Sequence, residues 1–427
     1  MFGVASNKST KNNWDNLEFN ARQLFTPSAP ISAADLFTGR SEQIQRLINA
    51  VADPGRHAVL YGERGVGKTS LGNTFHELIG SVGIFPIRQQ SSPGDDYTSL
   101  WKKVFREIVF EIKDPGNYGK EVTEKFTIAD KYESVITPDD VVRELRKSPF
   151  SKIPVIIFDE FDKIKNTNAK QLMAHTIKAL SDSGVNVTVL LIGVADDITT
   201  LVEEHQSVSR NIEEIKMPRM NKNELNAILD QRLPKLGIKI DPDARWKIVT
   251  LSRGLPEYIH SLGRDSTIQA IREKKKLITE AHVGNAINEL ISQSDQSINN
   301  AYKKAILSNK KNALYREVLL ACAMARTDDE GKFPPVAVVD PLIKILRRKI
   351  AIANFQSHLA TFSSDERGNI LQKHGVSRAY KYRFTEPKMQ PYVIMQGINA
   401  ELINNEALSI LSAPEQPSLP NVFGPPS

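Results

Sequence analysis

Glycine, lysine and threonine are spaced for phosphate binding in Gly62-Glu-Arg-Gly-Val-Gly-Lys-Thr69, which fits G-x-x-x-x-G-K-[ST]. Glycines let the backbone wrap around phosphates, and the backbone N–H groups and the following helix N-terminus supply donors and positive potential. Lys68 is expected to reach the outer phosphates, and the Thr69 hydroxyl to ligate Mg²⁺. The preceding strand and following helix argue against a chance glycine-rich turn. We therefore expect ATP and Mg²⁺ to bind through Gly62, Glu63, Arg64, Gly65, Val66, Gly67, Lys68, Thr69 and Ser70.

A second chemical element is the acidic pair that ends the apolar run Val155-Ile-Ile-Phe-Asp-Glu160. Asp159 is expected to hold the magnesium ion, directly or through water, and Glu160 to orient and polarise an attacking water. An isolated acidic pair after a strand is usually a solvated loop or a helix cap, but a phosphate-binding loop in the same chain favours the catalytic interpretation. Asp162 is interpreted as a helix cap or surface acid rather than a third ligand.

Short apolar runs alternate with helical periodicity around these two elements. The pattern predicts strands at 57–61, 84–87, 155–158 and 185–194, helices at 68–79, 97–112 and 169–180, and a charged insertion at 113–138. Such alternation predicts a parallel sheet with helices on both faces. Helices then follow to about residue 307, beginning with an Asn221 cap and Glu224 three residues later.

These motifs resemble those of a known family. Leu36-Phe-Thr-Gly-Arg40, the acidic pair, the later strand and the helical lid are similar to AAA+ ATPases over about residues 31 to 400. The similarity is greatest to the origin-recognition or replication-initiator clade and to the STAND signalling ATPases. This resemblance implies that Phe37 and Arg40 lie beside the adenine.

The expected fold class is α/β, with a parallel-sheet P-loop (AAA+) ATPase core, a helical lid and a C-terminal winged-helix domain. The boundaries divide the chain into a 1–30 N-terminal arm or linker, a 31–219 nucleotide-binding core, a 220–307 helical lid, a 308–400 winged-helix domain and a 401–427 mostly disordered tail.

Two further catalytic candidates rest on the resemblance. Asp196 stands where the family usually has a polar sensor for the γ-phosphate, and the alternative is a helix cap. Ser209-Arg210 is similar to the arginine-finger segment of clamp loaders, and an arginine there would neutralise charge on the γ-phosphoryl group of a neighbouring subunit. The alternative for Arg210 is a surface ion pair with Glu213 or Glu214.

The lid segment Ser252-Arg-Gly-Leu-Pro-Glu257 departs from the initiator pattern. Glu257 stands where initiator-type ATPases often carry a second sensor arginine, so that sensor is expected to be missing. Gly254-Leu255-Pro256 is similar to the lid motif of STAND ATPases, which implies that Pro256 packs near the base. A lid of this kind favours a slow switch over a fast motor.

Positive charge is concentrated near the C-terminus, where residues 301–400 hold 17 Lys/Arg against 8 Asp/Glu. Helices predicted at 314–320, 341–350 and 353–362 precede a predicted hairpin at 370–384, which is the order of a winged helix. Initiator-type ATPases carry such a domain at this place, so binding to duplex DNA is expected. A helical cap that packs on protein is the alternative.

The composition and patterning of the whole chain argue against a disulfide-bonded, membrane-spanning or zinc-binding protein. Of its 427 residues one is cysteine, Cys322, which lies in an apolar run and predicts a packed thiol in a reducing compartment. No apolar run approaches membrane-spanning length, and the polar N-terminus lacks a secretory signal, so a cytoplasmic protein is expected. The scattered histidines have no metal-binding spacing, so no zinc site is predicted.

The sequence therefore predicts an ATP-hydrolysing AAA+ switch or assembly factor that binds DNA and forms a homo-oligomer or binds a protein partner. The rival is a STAND-type signalling or defence ATPase whose winged helix binds protein. A metabolic kinase is disfavoured, because the acidic pair and the lid suit water activation better than a small acceptor pocket.

Overall fold

The computed structural model describes residues 6–27, 39–80, 84–114, 122–148, 150, 152–195, 208–309, 313–376 and 379–412. The chain divides into two compact units, one within residues 1–239 and 254–277 and the other within residues 240–253 and 278–427. The five boundaries expected from the sequence stay predictions. Within the described residues, no helix combines the length and apolarity needed to cross a membrane.

The helices and strands have the following bounds. The helices are α1 Ser6–Leu24, α2 Ser41–Ala52, α3 Lys68–Gly80, α4 Tyr97–Arg106, α5 Pro138–Lys147, α6 Thr167–Asp182, α7 Lys222–Arg232, α8 Pro242–Leu251, α9 Pro256–Arg272, α10 Glu280–Ser292, α11 Gln296–Ile306, α12 Tyr315–Met324, α13 Val339–Leu346, α14 Gln356–Phe362, α15 Met389–Asn399 and α16 Asn405–Leu408. The strands are β1 His57–Gly62, β2 Ile84–Gln90, β3 Val109–Asp114, β4 Val122–Thr127, β5 Ile153–Asp159, β6 Thr188–Val194, β7 Ile212–Lys216, β8 Lys239–Ile240, β9 Leu277–Ile278, β10 Leu371–His374 and β11 Lys381–Phe384.

A five-stranded sheet organises the first unit, in the order β2-β5-β6-β1-β7, and all its neighbouring strands are parallel. Apolar side chains are buried on both faces, with Trp101 and Phe158 in one core and Leu71 and Phe75 in the other. The predicted parallel α/β core is therefore confirmed. Because β1, β6 and β5 are adjacent and parallel, their carboxyl ends lie at the same edge of the sheet.

The predicted helix over 97–112 is wrong in its second half. Helix α4 ends at Arg106, and β3, which begins in the predicted helix, pairs with β4 of the predicted insertion in an antiparallel hairpin. Phe110 and Phe126 lie opposite each other on the two strands, with ring centroids 5.4 Å apart. Such cross-strand aromatic pairs stabilise a hairpin, and here they prevail over the helical spacing of apolar residues that extends to Ile108.

The N-terminal segment is a helix, although the sequence suggested an arm or linker. Phe25, just beyond α1, is completely buried, and its ring meets that of His260 on α9 at 6.1 Å. The fully buried Arg232 donates from Nε to the Leu24 carbonyl over 2.9 Å. Helix α1 is therefore anchored at its C-terminal end, because that end packs on two helices far away in sequence.

In the second unit, α12, α13 and α14 precede an antiparallel hairpin of β10 and β11. The hairpin predicted around Gly375 is confirmed, with Leu371 opposite Phe384. A further bridge joins Phe333 to Tyr382. Three helices followed by a hairpin are the elements that a winged helix requires, and the assignment as such a domain stays a prediction. Cys322 is completely buried in α12, which raises the pKa of its thiol.

Candidate nucleotide-binding site

The phosphate-binding loop connects the end of β1 to the start of α3 and depends on its glycines. Gly62, Gly65 and Gly67 have φ values of 151°, 84° and 97°. A Cβ atom at Gly62 would lie 2.4 Å from the Met217 carbonyl oxygen, so a side chain there would displace the backbone. The left-handed φ values at the other two positions are equally suited to glycine.

Lys68 begins α3 and is only 8% exposed. Its ammonium donates to the carbonyl oxygens of Gly62, over 2.9 Å, and Glu63, over 2.8 Å. Burial lowers the pKa of Lys68 to about 8, against the opposing effect of Asp162 and other nearby carboxylates. A phosphate at this place would favour the charged form of the lysine.

Asp159 ends β5 and lies at the same sheet edge. Its Oδ1 accepts from the Glu160 backbone N–H over 2.8 Å, and its Oδ2 accepts from the Arg88 guanidinium. Asp162 accepts from the Val194 backbone N–H over 2.8 Å at the end of β6. Asp162 thus links the segment after β5 to the end of β6 beside the loop.

Glu160 has a left-handed backbone, with φ of 55°. Its carboxylate accepts from Lys163 over 2.7 Å and from Gln90 at the end of β2. Burial raises the pKa of Glu160, but these hydrogen bonds outweigh burial and its net pKa lies below the usual range. The carboxylate is therefore ionised at neutral pH and is engaged by the Lys163 and Gln90 side chains.

A cavity of about 540 Å³ opens over these residues. The N-terminus of α9 lies over the loop, since Pro256 Cγ is 3.8 Å from where a Cβ of Gly67 would be. The cavity is lined by Thr26, Pro27, Arg64, Gly65, Gly67, Lys68, Thr69, Ser70, Asp159, Glu160, Asp162, Lys163, Gly193, Val194, Pro256, Glu257 and His260.

Several lining residues carried no signal in the sequence. His260 is one turn beyond Pro256 on α9, and its Nδ1 accepts from the Thr26 backbone N–H over 3.2 Å. Burial lowers the pKa of His260 to about 3, so the ring is neutral with its proton on Nε2. Thr26 and Pro27 belong to the segment that the sequence suggested was a linker. Their approach to the loop arises from packing rather than from a motif.

Arg40 does not line the cavity. Its guanidinium donates to the carbonyl oxygens of Pro218, over 2.6 Å, and Val66, over 3.3 Å, and the residue is 3% exposed. It therefore supports the loop through these backbone contacts, and its expected place beside the adenine stays a prediction. Phe37 lies outside the described residues.

A buried ion pair holds the second residue of the loop. Arg219 donates to both carboxylate oxygens of Glu63, over 2.7 and 2.8 Å, and the two side chains are 6% and 5% exposed. Arg219 follows Pro218, which accepts from Arg40. The loop is thus fastened by two arginines outside its motif.

Arg210 lies in a short turn directly before β7, at the edge of the sheet opposite the loop. Ile212 pairs with His57 at the start of β1, and Gly62 ends that strand. Five residues of strand span about 17 Å, so Arg210 is remote from its own loop. Its side chain is 73% exposed and contacts Asp182 at 3.3 Å.

The alternative partner Glu213 is engaged elsewhere. Its carboxylate binds Arg46 at 2.6 Å and Arg56 at 2.9 Å. Glu213 is therefore not the partner of Arg210, and the arginine-finger role of Arg210 stays a prediction. Asp196, the other catalytic candidate from the resemblance, lies outside the described residues.

The core is similar to a known domain family. Residues 36–192 match the profile of the AAA ATPase domain family. Among curated proteins, none matches the chain in sequence. The predicted resemblance to AAA+ P-loop ATPases is confirmed for this region, while the STAND-like character of the lid stays a prediction.

Several solved structures are similar to this chain at low sequence identity. A Walker-type ATPase of Pyrococcus abyssi is 16% identical over 87% of this chain and 99% of that chain, with a TM-score of 0.50. The Aeropyrum pernix ORC1 protein in complex with DNA is 16% identical over 90% and 98%, with a TM-score of 0.47. RuvB of Thermotoga maritima is 15% identical over 84% and 95%, with a TM-score of 0.43.

Proposed function

We propose that the chain binds ATP with Mg²⁺, hydrolyses it and uses the cycle as a switch, because residues 36–192 match the AAA ATPase domain family. One observation carries this proposal. Lys68 and Thr69 from α3 and Asp159 and Glu160 from the end of β5 line the same cavity. A cation, a hydroxyl and two carboxylates around a glycine loop are the groups that phosphoryl transfer to water requires.

The donor set fits magnesium and a nucleotide. Thr69 and Asp159 would hold the ion, because hydroxyl and carboxylate oxygens suit a hard cation. The bound ion would neutralise charge on the phosphates. The space above Gly65 and Gly67 fits the phosphates, since Cβ atoms built there approach only Leu255 and Pro256, at 4.0 and 3.8 Å.

The protein's own side chains have separate tasks in this proposal. Lys68 uses two of its three N–H donors on loop carbonyls, so the third is available to a phosphate oxygen. Glu160 would orient the attacking water once its carboxylate leaves Lys163 and Gln90. Exchange between these two arrangements of Glu160 would keep hydrolysis slow, as a switch requires.

Two variants test the ATPase proposal. Lys68→Ala should abolish tight ATP binding, because the buried ammonium is lost. Glu160→Gln should bind ATP with nearly normal affinity and hydrolyse it slowly, because the magnesium ligands remain and the carboxylate does not. Nucleotide titration and single-turnover hydrolysis measure both effects. Equal loss of nucleotide affinity in the two variants would contradict the assigned roles.

We further propose that the second unit binds duplex DNA through phosphates. Arg347, Arg348 and Lys349 are exposed at the end of α13. On the hairpin, Lys373 lies over the Tyr380 ring at 3.5 Å, and Lys381 contacts Asp328 at 2.9 Å. Cationic groups on both a helix end and a hairpin match a helix in the major groove with a basic wing on the backbone.

A signalling ATPase is the second candidate, and the close approach of Pro256 to the loop favours it. In that case ATP is a structural ligand that orders the lid, and the second unit binds protein. Full-length protein titrated with duplex DNA over a range of salt separates the two functions. Affinity that falls steeply with salt supports DNA binding, and no binding at low salt supports the signalling role.

A further inference from the structure

Arg88, on the edge strand β2, contacts the proposed magnesium site although no motif includes it. Its guanidinium donates to Asp159 Oδ2 and to Asn73 Oδ1. The Asp159 side chain is 4% exposed and that of Arg88 is 27% exposed. The arginine is therefore the direct counter-charge of a buried carboxylate.

Hydrogen bonds of Arg88 connect helix α3 to strand β5. Asn73 is four residues after Thr69 on α3, so both lie on the same face of that helix. Arg88 thus connects the helix that supplies the Thr69 hydroxyl to the strand that supplies Asp159. Gln90 lies two residues further on the same face of β2 and donates to Glu160. One strand therefore contacts both acids of the catalytic pair.

The positive charge of Arg88 also opposes the binding of a divalent cation at Asp159. Asp159 already accepts from the Glu160 backbone N–H at Oδ1 and from Arg88 at Oδ2. A divalent cation at Asp159 would be repelled by the nearby guanidinium, in surroundings where screening by water is reduced. The phosphates of ATP would supply the negative charge needed to overcome that repulsion.

We propose that Arg88 is a positioning residue with two effects, and the proposal rests on the proposed ATPase function. Its forked guanidinium group, through its hydrogen bonds to Asp159 and Asn73, holds Asp159 in place relative to α3. Its charge weakens capture of a divalent cation by the protein alone, so that the metal binds together with the nucleotide. Two different substitutions of Arg88 separate the fork from the charge.

The test compares Arg88→Met with Arg88→Lys in the full-length protein. The readouts are the Mg²⁺ concentration for half-maximal binding of a fluorescent ATP analogue, Mn²⁺ binding without nucleotide, and turnover at saturating Mg²⁺. Arg88→Met should lower the Mg²⁺ midpoint about tenfold, tighten Mn²⁺ binding and reduce turnover. Arg88→Lys should keep the wild-type midpoint, because its charge remains, and still turn over slowly.

Two further variants keep the proposal falsifiable. Asn73→Ala removes the α3 acceptor but keeps the charge, so turnover should fall while the Mg²⁺ midpoint stays unchanged. It decides the positioning role if Arg88→Met does not fold, and wild-type turnover in Asn73→Ala would overturn that role. Arg22→Met, which removes an exposed arginine of the same unit, is the matched control and should change none of the three readouts.

The outcomes distinguish this inference from the proposed function. Wild-type protein that shows no Mg²⁺-dependent nucleotide binding would contradict the ATPase proposal itself. Wild-type protein that binds normally, with an unchanged or raised Mg²⁺ midpoint in a folded Arg88→Met variant, would overturn the role of Arg88 alone.

Discussion

Arg219 and Glu63 form a two-point ion pair, with donor–acceptor distances of 2.7 and 2.8 Å, inside the first unit. Neither side chain is more than 6% exposed. The pair joins the loop residue after Gly62 to the segment that follows β7. Since Arg40 donates to Pro218 in the same segment, the loop is held in shape by contacts that do not involve nucleotide.

Loss of this pair should destabilise the protein. Arg219→Ala leaves the Glu63 carboxylate buried without its main counter-charge, and such changes cost about 3–5 kcal/mol of unfolding free energy. ATP affinity should also fall, because the loop is less constrained. Denaturant unfolding and nucleotide titration measure the two effects. Arg22→Ala, at an exposed pair with Glu18, is the control and should cost less than about 1 kcal/mol.

A second substitution at the same pair provides a check on this effect. Glu63→Gln in the Arg219→Ala background should recover part of the lost stability, because an unpaired charge is replaced by a neutral amide. An Arg219→Ala variant as stable as the control would show that the pair contributes little.

Arg210 should act across a subunit boundary. Arg210→Ala and Lys68→Ala should each be nearly inactive alone, whereas a mixture should recover ATPase activity. In an equal mixture, about a quarter of the interfaces of a closed ring join an intact loop to an intact arginine. Mixed oligomers are verified with two different affinity tags. No recovery in verified mixed oligomers would argue for a structural arginine.

The basic hairpin should contribute to DNA affinity by neutralising phosphates. Replacing Lys373, Arg378 and Lys381 with glutamine should weaken duplex binding at least about tenfold at low salt. It should also reduce the salt slope, which is the slope of log affinity against log salt concentration, by nearly one for each DNA phosphate that is no longer neutralised. Arg378 itself lies outside the described residues. Fluorescence anisotropy over a salt series measures the affinity and the slope.

A matched control removes the same charge elsewhere. Lys274, Lys275 and Lys276 are exposed in the first unit, and their replacement with glutamine should leave the slope nearly unchanged. Equal effects of the two triple variants would mean that net charge, rather than the hairpin, drives binding.

Acid should destabilise the core through His57. The residue is completely buried, its Nδ1 accepts from the Val189 backbone N–H over 2.9 Å, and burial lowers its pKa to about 4. Between that pH and about 6.5 the unfolded chain binds more protons, so the free energy of unfolding falls as the pH falls. The loss over the whole window is about 3 kcal/mol.

His57→Gln tests this pH dependence. Glutamine can still accept the Val189 N–H but does not titrate, so its unfolding free energy should vary less between pH 6.5 and 4. Replacing the exposed His175 with glutamine is the control, and should leave the pH dependence at the wild-type slope. An unchanged slope in His57→Gln would assign the acid sensitivity to other groups.

The sequence by itself determined the features that depend on local physics. The glycine loop, the acidic pair after an apolar strand and the strand–helix alternation predicted the parallel core. The Asn221 cap forms with Glu224, as their spacing predicted. The Gly375 hairpin formed for the same reason, because a turn and its flanking strands are set by neighbouring residues. The hairpin of β3 and β4 was missed, since Phe110 follows a helical apolar pattern and its cross-strand partner Phe126 lies in the predicted charged insertion.

Only the tertiary structure decided which distant side chains support the site. Arg88 reaches Asp159 across 71 residues, Arg219 reaches Glu63 across 156, and Arg232 reaches Leu24 across 208. No spacing rule relates such residues, because their contact depends on the strand order and on how the helices pack against the sheet. The same packing placed Arg40 against the loop and His260 in the cavity wall. The sequence names the candidate groups for ATP chemistry, and the fold determines which arginines contact them.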